Sequence, residues 1–164
     1  MSKLKIIWKS KDISLTTKLK LYKTLVLSIL LYGCESWTLS ADLQRKNSAF
    51  QNKSYRKILG ITYMDRVTNE QIHQFINDTC GPQELLLNTV KSRILKWFSK
   101  TNMKPGLSKD ILQGQVPGKR PRGRPRKQWL DGPKEWTGMS LHNFTRLSED
   151  QMCWKEICHN CVKV

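Results

Sequence analysis

Acidic side chains are scarce in this chain of 164 residues: thirteen Asp and Glu stand against twenty-nine Lys and Arg, leaving +16 and a pI near 9.9. A surplus of that size repels itself, and a polyanion is the natural partner to neutralise it. The few acids are also scattered. Polymerases and nucleases cluster carboxylates to hold two metal ions on phosphate oxygens, whereas Tyr63-Met64-Asp65-Arg66 offers one carboxylate where a polymerase metal motif needs two. Glycine-rich phosphate cradles ending in Lys-Ser or Lys-Thr are missing, and His73, His142 and His159 lie far apart in the sequence. No catalytic residues, no cofactor and no small-molecule substrate are therefore expected. Five cysteines are too few, and odd in number, for an extracellular disulfide scaffold. Long apolar runs are missing too. The longest, Leu25 to Tyr32, is less than half the roughly 20 residues a membrane-spanning helix requires, and the start MSKLKIIWKSKD has no apolar region long enough for a secretory signal. The expectation is an intracellular protein with reduced thiols and no membrane partner.

What is present reads as helix. Ser14 can cap a segment running to Tyr32, in which Leu15, Leu19, Tyr22, Leu25, Val26, Ile29 and Leu30 recur at helical spacing, with Gly33 as a left-handed terminator. A second helix is predicted over 40–59, with Leu43, Phe50, Tyr55, Ile58 and Leu59 inward and Gly60 ending it. Its outer face carries Arg45, Lys46, Lys53, Arg56 and Lys57, a phosphate-facing surface or merely a solvated one. Thr68-Asn69-Glu70-Gln71 fits a capping box for a third helix burying Ile72, Phe75 and Ile76. Pro82 suits the first turn of a fourth, over 82–99, with Leu86, Val90, Ile94, Trp97 and Phe98 as its apolar face.

Beyond Lys100, prolines and glycines punctuate the chain as far as Pro125, and no stable helix is expected to cross that stretch. Pro133 is expected to interrupt a helix between Trp129 and Trp136. Ser148-Glu149-Asp150-Gln151 reads as a further capping box, followed by Trp154, Ile157, Cys158 and Cys161 on one helical face. Cys153, Cys158, His159 and Cys161 suggest zinc, but only Cys158 and Cys161 have half-site spacing, and on an apolar face cysteine acts as a small hydrophobe. No metal is expected. The organisation predicted is a basic lead-in at 1–13, a helical bundle at 14–100, a basic irregular loop at 101–128 and a Trp-rich helical tail at 129–164.

The most specific chemistry lies in that loop. Lys119, Arg120, Arg122, Arg124, Arg126 and Lys127 place six cations in nine residues. Arg122-Gly123-Arg124-Pro125-Arg126 resembles the core of an AT-hook: glycine lets the backbone approach a groove floor, proline extends the chain, and arginine suits the negative minor groove of A·T tracts. A nuclear-import signal, or a phosphate-binding arm without sequence preference, fits the same residues. Arg56 and Lys57 are secondary candidates for phosphate contact. Trp129 and Trp136 are candidates to stack on unpaired bases or, alternatively, to pack against the last helix.

The segment from Lys18 to Trp37 resembles part of the reverse transcriptases of non-long-terminal-repeat (LINE-type) retrotransposons. Further blocks follow in the same order: Tyr55 to Ile61, Asp65 to Glu70, Arg93 to Phe98, Gly114 to Pro125, Trp129 to Asp131, Glu135 to Gly138, and Asp150 with Trp154. The likeness begins near residue 14, covers almost all the rest and is closest to RTE-like elements. It implies an all-α thumb downstream of the polymerase palm, followed by a basic tail, in a fragment that lacks the catalytic palm and the endonuclease. It further implies non-catalytic binding of template–primer or target DNA or RNA, and a nuclear location. An independent AT-hook chromatin protein, and a transposon fossil without selected activity, are the competing expectations.

Overall fold

A computed structural model describes residues 4–114, 122–123 and 127–163. The described residues form helices, turns and loops, with no strand among them, so the class is all-α. Two compact units share the chain: Met1–Tyr32 with Leu43–Leu87, and Gly33–Asp42 with Asn88–Val164. The division falls inside the fourth predicted helix rather than at the basic loop. Thirteen cations against five acids in the first unit, and sixteen against eight in the second, give each unit half of the +16.

The first unit opens with α1 (Lys5–Lys9), then α2 (Leu15–Leu21), which runs on through a π-helical stretch, Tyr22–Leu27, into α3 (Ser28–Leu30). Ser14 caps α2 as expected, its hydroxyl accepting the Thr17 N–H at 3.3 Å. Gly33, at φ of +66°, is left-handed as expected, and Leu15, Leu19, Tyr22 and Val26 face the core, but the π turn corrects the expectation for Leu25 and Ile29. Hydrogen bonds reaching five residues on place Tyr22 and Leu27 on one face, and both pack on the core while Leu25 and Ile29 stand 44% and 78% exposed. Helix α4 (Ala41–Leu59) ends at Gly60, whose φ of +74° suits glycine; Ile61 N–H then reaches back to Arg56 O at 3.0 Å, and Ile61 packs inward. The inner face of α4 buries Asn47, Gln51 and Ser54 alongside Tyr55 and Ile58, a polar content that apolar periodicity does not reveal.

Helix α5 (Asn69–Cys80) starts with the predicted box: Gln71 N–H donates to Thr68 Oγ1 at 3.3 Å, and Thr68 N–H to Gln71 Oε1 at 2.9 Å. Its packed stripe is Ile72, His73 and Ile76, centred away from Phe75, which is 54% exposed rather than buried. Trp8, Leu19, Tyr22, Tyr55, Ile58, Ile72 and Ile76 form this unit's core. Helix α6 (Leu86–Asn102) begins four residues later than predicted, because Gln83 is committed to the end of α5. Its N–H donates to Asn77 Oδ1, and its side chain donates to the carbonyls of Cys80 and Gly81.

In the second unit, α7 (Leu107–Gln113) forms between Gly106 and Gly114, where loop was expected; it crosses none of the prolines. Helix α8 (Asp131–Thr137) contains Pro133 without interruption. Pro133 sits in the first turn, where a backbone N–H has no helical acceptor to lose, and the first i→i−4 bond is Lys134 N–H to Leu130 O at 3.0 Å. Helix α9 (Leu141–Leu147) was not foreseen, and it explains why Ser148 does not cap α10 (Gln151–Lys163). Ser148 closes α9 and is buried, while Asp150 caps α10 by accepting Met152 N–H at 2.9 Å and Cys153 N–H at 3.3 Å. Leu95, Phe98, Leu130, Phe144, Trp154 and Cys158 make the core, with Trp154 Nε1–H donating to Leu95 O at 3.0 Å. The predicted inner face of α10 is therefore the packed one.

Candidate nucleic-acid interface

Five lysines meet in the first unit. Lys5 and Lys9 lie one turn apart on α1, Lys11 follows in the connecting loop, Lys18 belongs to α2, and Lys57 to the last turn of α4. They line an open pocket of about 710 Å³ with an apolar floor of Trp8, Ile58 and Leu59, and among the described residues no carboxylate lines it. Local sequence builds this arrangement. Leu4, Ile7 and Trp8 turn α1's apolar side to the core, so Lys5 and Lys9, at i and i+4, share the face left outside. Lys9 and Lys57 also sit at helix C-termini, where a cation is favoured by the helix dipole. Lys18 is partly spent within the protein, donating to Trp8 O at 3.0 Å, while Lys5, Lys9, Lys11 and Lys57 are exposed.

Of the residues expected to bind nucleic acid, Lys57 joins this pocket. Arg56, its neighbour, is a bracing residue: Nη2 donates to Val67 O at 2.6 Å and Asn69 Oδ1 at 3.0 Å, and Nε donates to the same amide oxygen at 3.3 Å. Arg122 and Gly123 are exposed, Gly123 with φ of +114°, a backbone conformation that suits glycine. Lys127 is paired with Glu135 at 2.7 Å. That pair is at the surface, and such pairs contribute about 0–1 kcal/mol, so a phosphate can displace the carboxylate. Lys119, Arg120, Arg124, Pro125 and Arg126 lie outside the described residues.

Comparison with family models, curated proteins and solved structures found no match.

The two candidate stacking tryptophans have protein neighbours. Trp129 lies edge-on to Trp97 at 5.4 Å and alongside Phe98 at 6.3 Å, and its Nε1–H donates to Glu35 O at 2.8 Å. Its partners are therefore α6 and the 3₁₀ turn Cys34–Ser36. Trp136 carries the Lys91 ammonium 5.4 Å from its ring centre and packs closely over Gly132, where a Cβ would meet the indole at 3.1 Å and need it to give by a few tenths of an ångström. Trp97, expected inside, is 37% exposed. Among the described residues no three His, Cys, Asp or Glu side chains converge as metal ligands, and no helix is long and apolar enough to cross a membrane.

The lysines at 5, 9, 11 and 18 were assigned no role by sequence reading. Their signal was present: seven lysines against one acid before residue 24, with Trp8 among them to anchor a short helix.

Proposed function

We propose that this chain binds nucleic acid through its phosphates and performs no chemistry on it. The observation that supports the reading best is the lysine-walled pocket: four exposed ammonium groups and a fifth partly used, converging from three helices and a loop, with no carboxylate among the described residues lining the space. Phosphate contacts of this kind fix position without carrying sequence information. The cations at 119–127, with the exposed Arg122, add a second basic element. The motif blocks resembling LINE-type reverse transcriptases favour a thumb-and-tail fragment, acting in the nucleus on template–primer or target DNA or RNA.

Salt titration of the full chain on labelled duplex tests this. If about five cations contact phosphates, log affinity should fall against log salt with a slope of roughly −4 to −5. Lys9→Gln with Lys57→Gln should flatten it by about two, and Arg122→Ala, Arg124→Ala and Arg126→Ala together by about three. A·T-rich duplex, G·C-rich duplex and structured RNA should bind within a few-fold of each other. Strong preference for A·T tracts, lost to a minor-groove competitor, would replace this reading with the AT-hook one. Salt-independent or undetectable binding would remove both.

A further inference from the structure

Two adjacent large side chains of the first unit stand out into solvent at a turn made rigid by hydrogen bonds. Tyr63 is 93% exposed and Met64 84%, side by side in the 3₁₀ turn Tyr63–Asp65. Single apolar residues at a surface are ordinary, whereas a contiguous exposed apolar patch marks a site of interaction. The groove has a volume of about 700 Å³ and is lined by Arg56, Tyr63, Met64, Arg66, Val67 and Thr68, with no acidic side chain among the described residues in its wall.

The turn holds its shape without help from a ligand. Thr62 N–H and Oγ1–H both donate to Asp65 Oδ2, at 2.6 Å and 2.9 Å, which turns that carboxylate to the Thr62 side of the loop. Arg66 closes the turn in the left-handed region at φ of +51°, its N–H donating to Tyr63 O at 3.3 Å. From below, Arg56 fixes the backbone of Val67 and the amide of Asn69. A platform ordered in advance avoids most of the entropy cost of ordering a loop on binding.

We propose that Tyr63 is a stacking site for an unpaired base, with the Met64 thioether beside it and Arg66 placed for the adjoining phosphate. The proposal rests on the nucleic-acid reading above and deepens it by naming single-stranded nucleotides as the ligand of this groove. Charge favours nucleic acid over an apolar peptide, because Arg56 and Arg66 line the groove and, among the described residues, no carboxylate does. Position favours it too. Arg56 and Lys57 are consecutive on α4, and one lines this groove while the other lines the lysine pocket. A single strand crossing the end of α4 would therefore meet ammonium groups on one side and an aromatic face on the other. Paired bases hide their faces in the helical stack, so only unpaired ones can use Tyr63.

The test uses the full chain, low salt and three labelled probes: an oligouridylate of about 12 nucleotides, an abasic oligomer of equal charge, and a duplex. Tyr63→Ala should weaken oligouridylate binding about 5-fold or more, the lower end of what one stacked base contributes. It should leave the abasic oligomer and the duplex within about twofold of wild type. Tyr63→Phe and Tyr63→Trp should keep wild-type affinity, since the ring and not the hydroxyl acts. Tyr63 packs on nothing that folding requires, and circular dichroism of each variant checks this. Equal loss on all three probes, no loss on any, or a Phe variant as weak as the Ala variant would overturn the stacking site while leaving phosphate binding in place. A wild-type chain that binds none of the probes would overturn the underlying reading itself.

Discussion

Gln51 is the residue whose removal should cost the first unit most for its size. It is 5% exposed, and both ends of its amide are engaged. Nε2 donates to Tyr55 Oη at 3.0 Å and to Glu84 O at 3.5 Å, while Oε1 accepts Leu86 N–H at 3.0 Å. The last bond matters because Leu86 opens α6, where the first four N–H groups have no acceptor within the helix. In Gln51→Ala that donor is buried without a partner, at about 1–3 kcal/mol, and the bond to Tyr55 is lost for about 1 more. A loss of about 3 kcal/mol is expected. Tyr55→Phe removes one partner and leaves the Leu86 bond, so about 1 kcal/mol should separate it from wild type. Urea unfolding followed by circular dichroism gives both numbers, and hydrogen exchange over 84–90 should show Leu86 deprotected in the first variant alone. A cost below about 1 kcal/mol for Gln51→Ala, with Leu86 still protected, would refute the bridging role.

Cysteine reactivity should follow burial and local charge. Burial holds the Cys158 thiol at about 11 and pushes Cys34 upward, whereas the exposed Cys153 is raised chiefly by its hydrogen bond to Asp150. Iodoacetamide near pH 8 should modify Cys153 first, faster still in Asp150→Asn, and reach Cys158 only on unfolding; mass spectrometry showing Cys158 modified as fast as Cys153 would contradict the packing of α10. His73 Nε2–H donates to Asn52 Oδ1 at 2.7 Å and the ring packs on Tyr55, and burial lowers its pKa. The unfolded chain then takes up the proton first, so stability is full above about pH 6.5 and declines as pH falls from there through the folded value. His73→Asn should flatten that decline in thermal melts, and an unchanged slope would assign it to another group.

Elements whose ends are written in side-chain chemistry were legible in the sequence: the Ser14 cap, the Thr68 box and the glycine stop of α4. Those ended by tertiary partners were not. Gln83 delays α6, and Ser148 is drawn inward by Ser99, which donates to its carbonyl at 2.8 Å, and by Asn102, which donates to its hydroxyl at 2.8 Å. The bonds that hold Ser148 join residues more than forty positions apart, beyond the reach of a local window, whereas those of Gln83 reach only two to six residues back and leave no mark in apolar periodicity. The same blindness hid the lysine pocket. Lys57 was noticed for its place on a basic helix, but its convergence with Lys5, Lys9 and Lys11 depends on α1 docking beside α4's last turn. The basic loop was conspicuous in one dimension because its cations are consecutive.

The π turn at Tyr22–Leu27 implies that this helix carries one residue it does not need. A loop of hydrogen bonds closing over five residues holds one more than the α-helix does. Removing Lys23 or Thr24, both exposed, would let the segment rewind as ordinary α-helix, with Tyr22 and Leu27 becoming a pair at i and i+4. Their shared face toward the core would survive the deletion. A one-residue deletion between Tyr22 and Leu27 should therefore leave the register on either side unchanged, with thermal melts of the deletion variant close to those of the full chain.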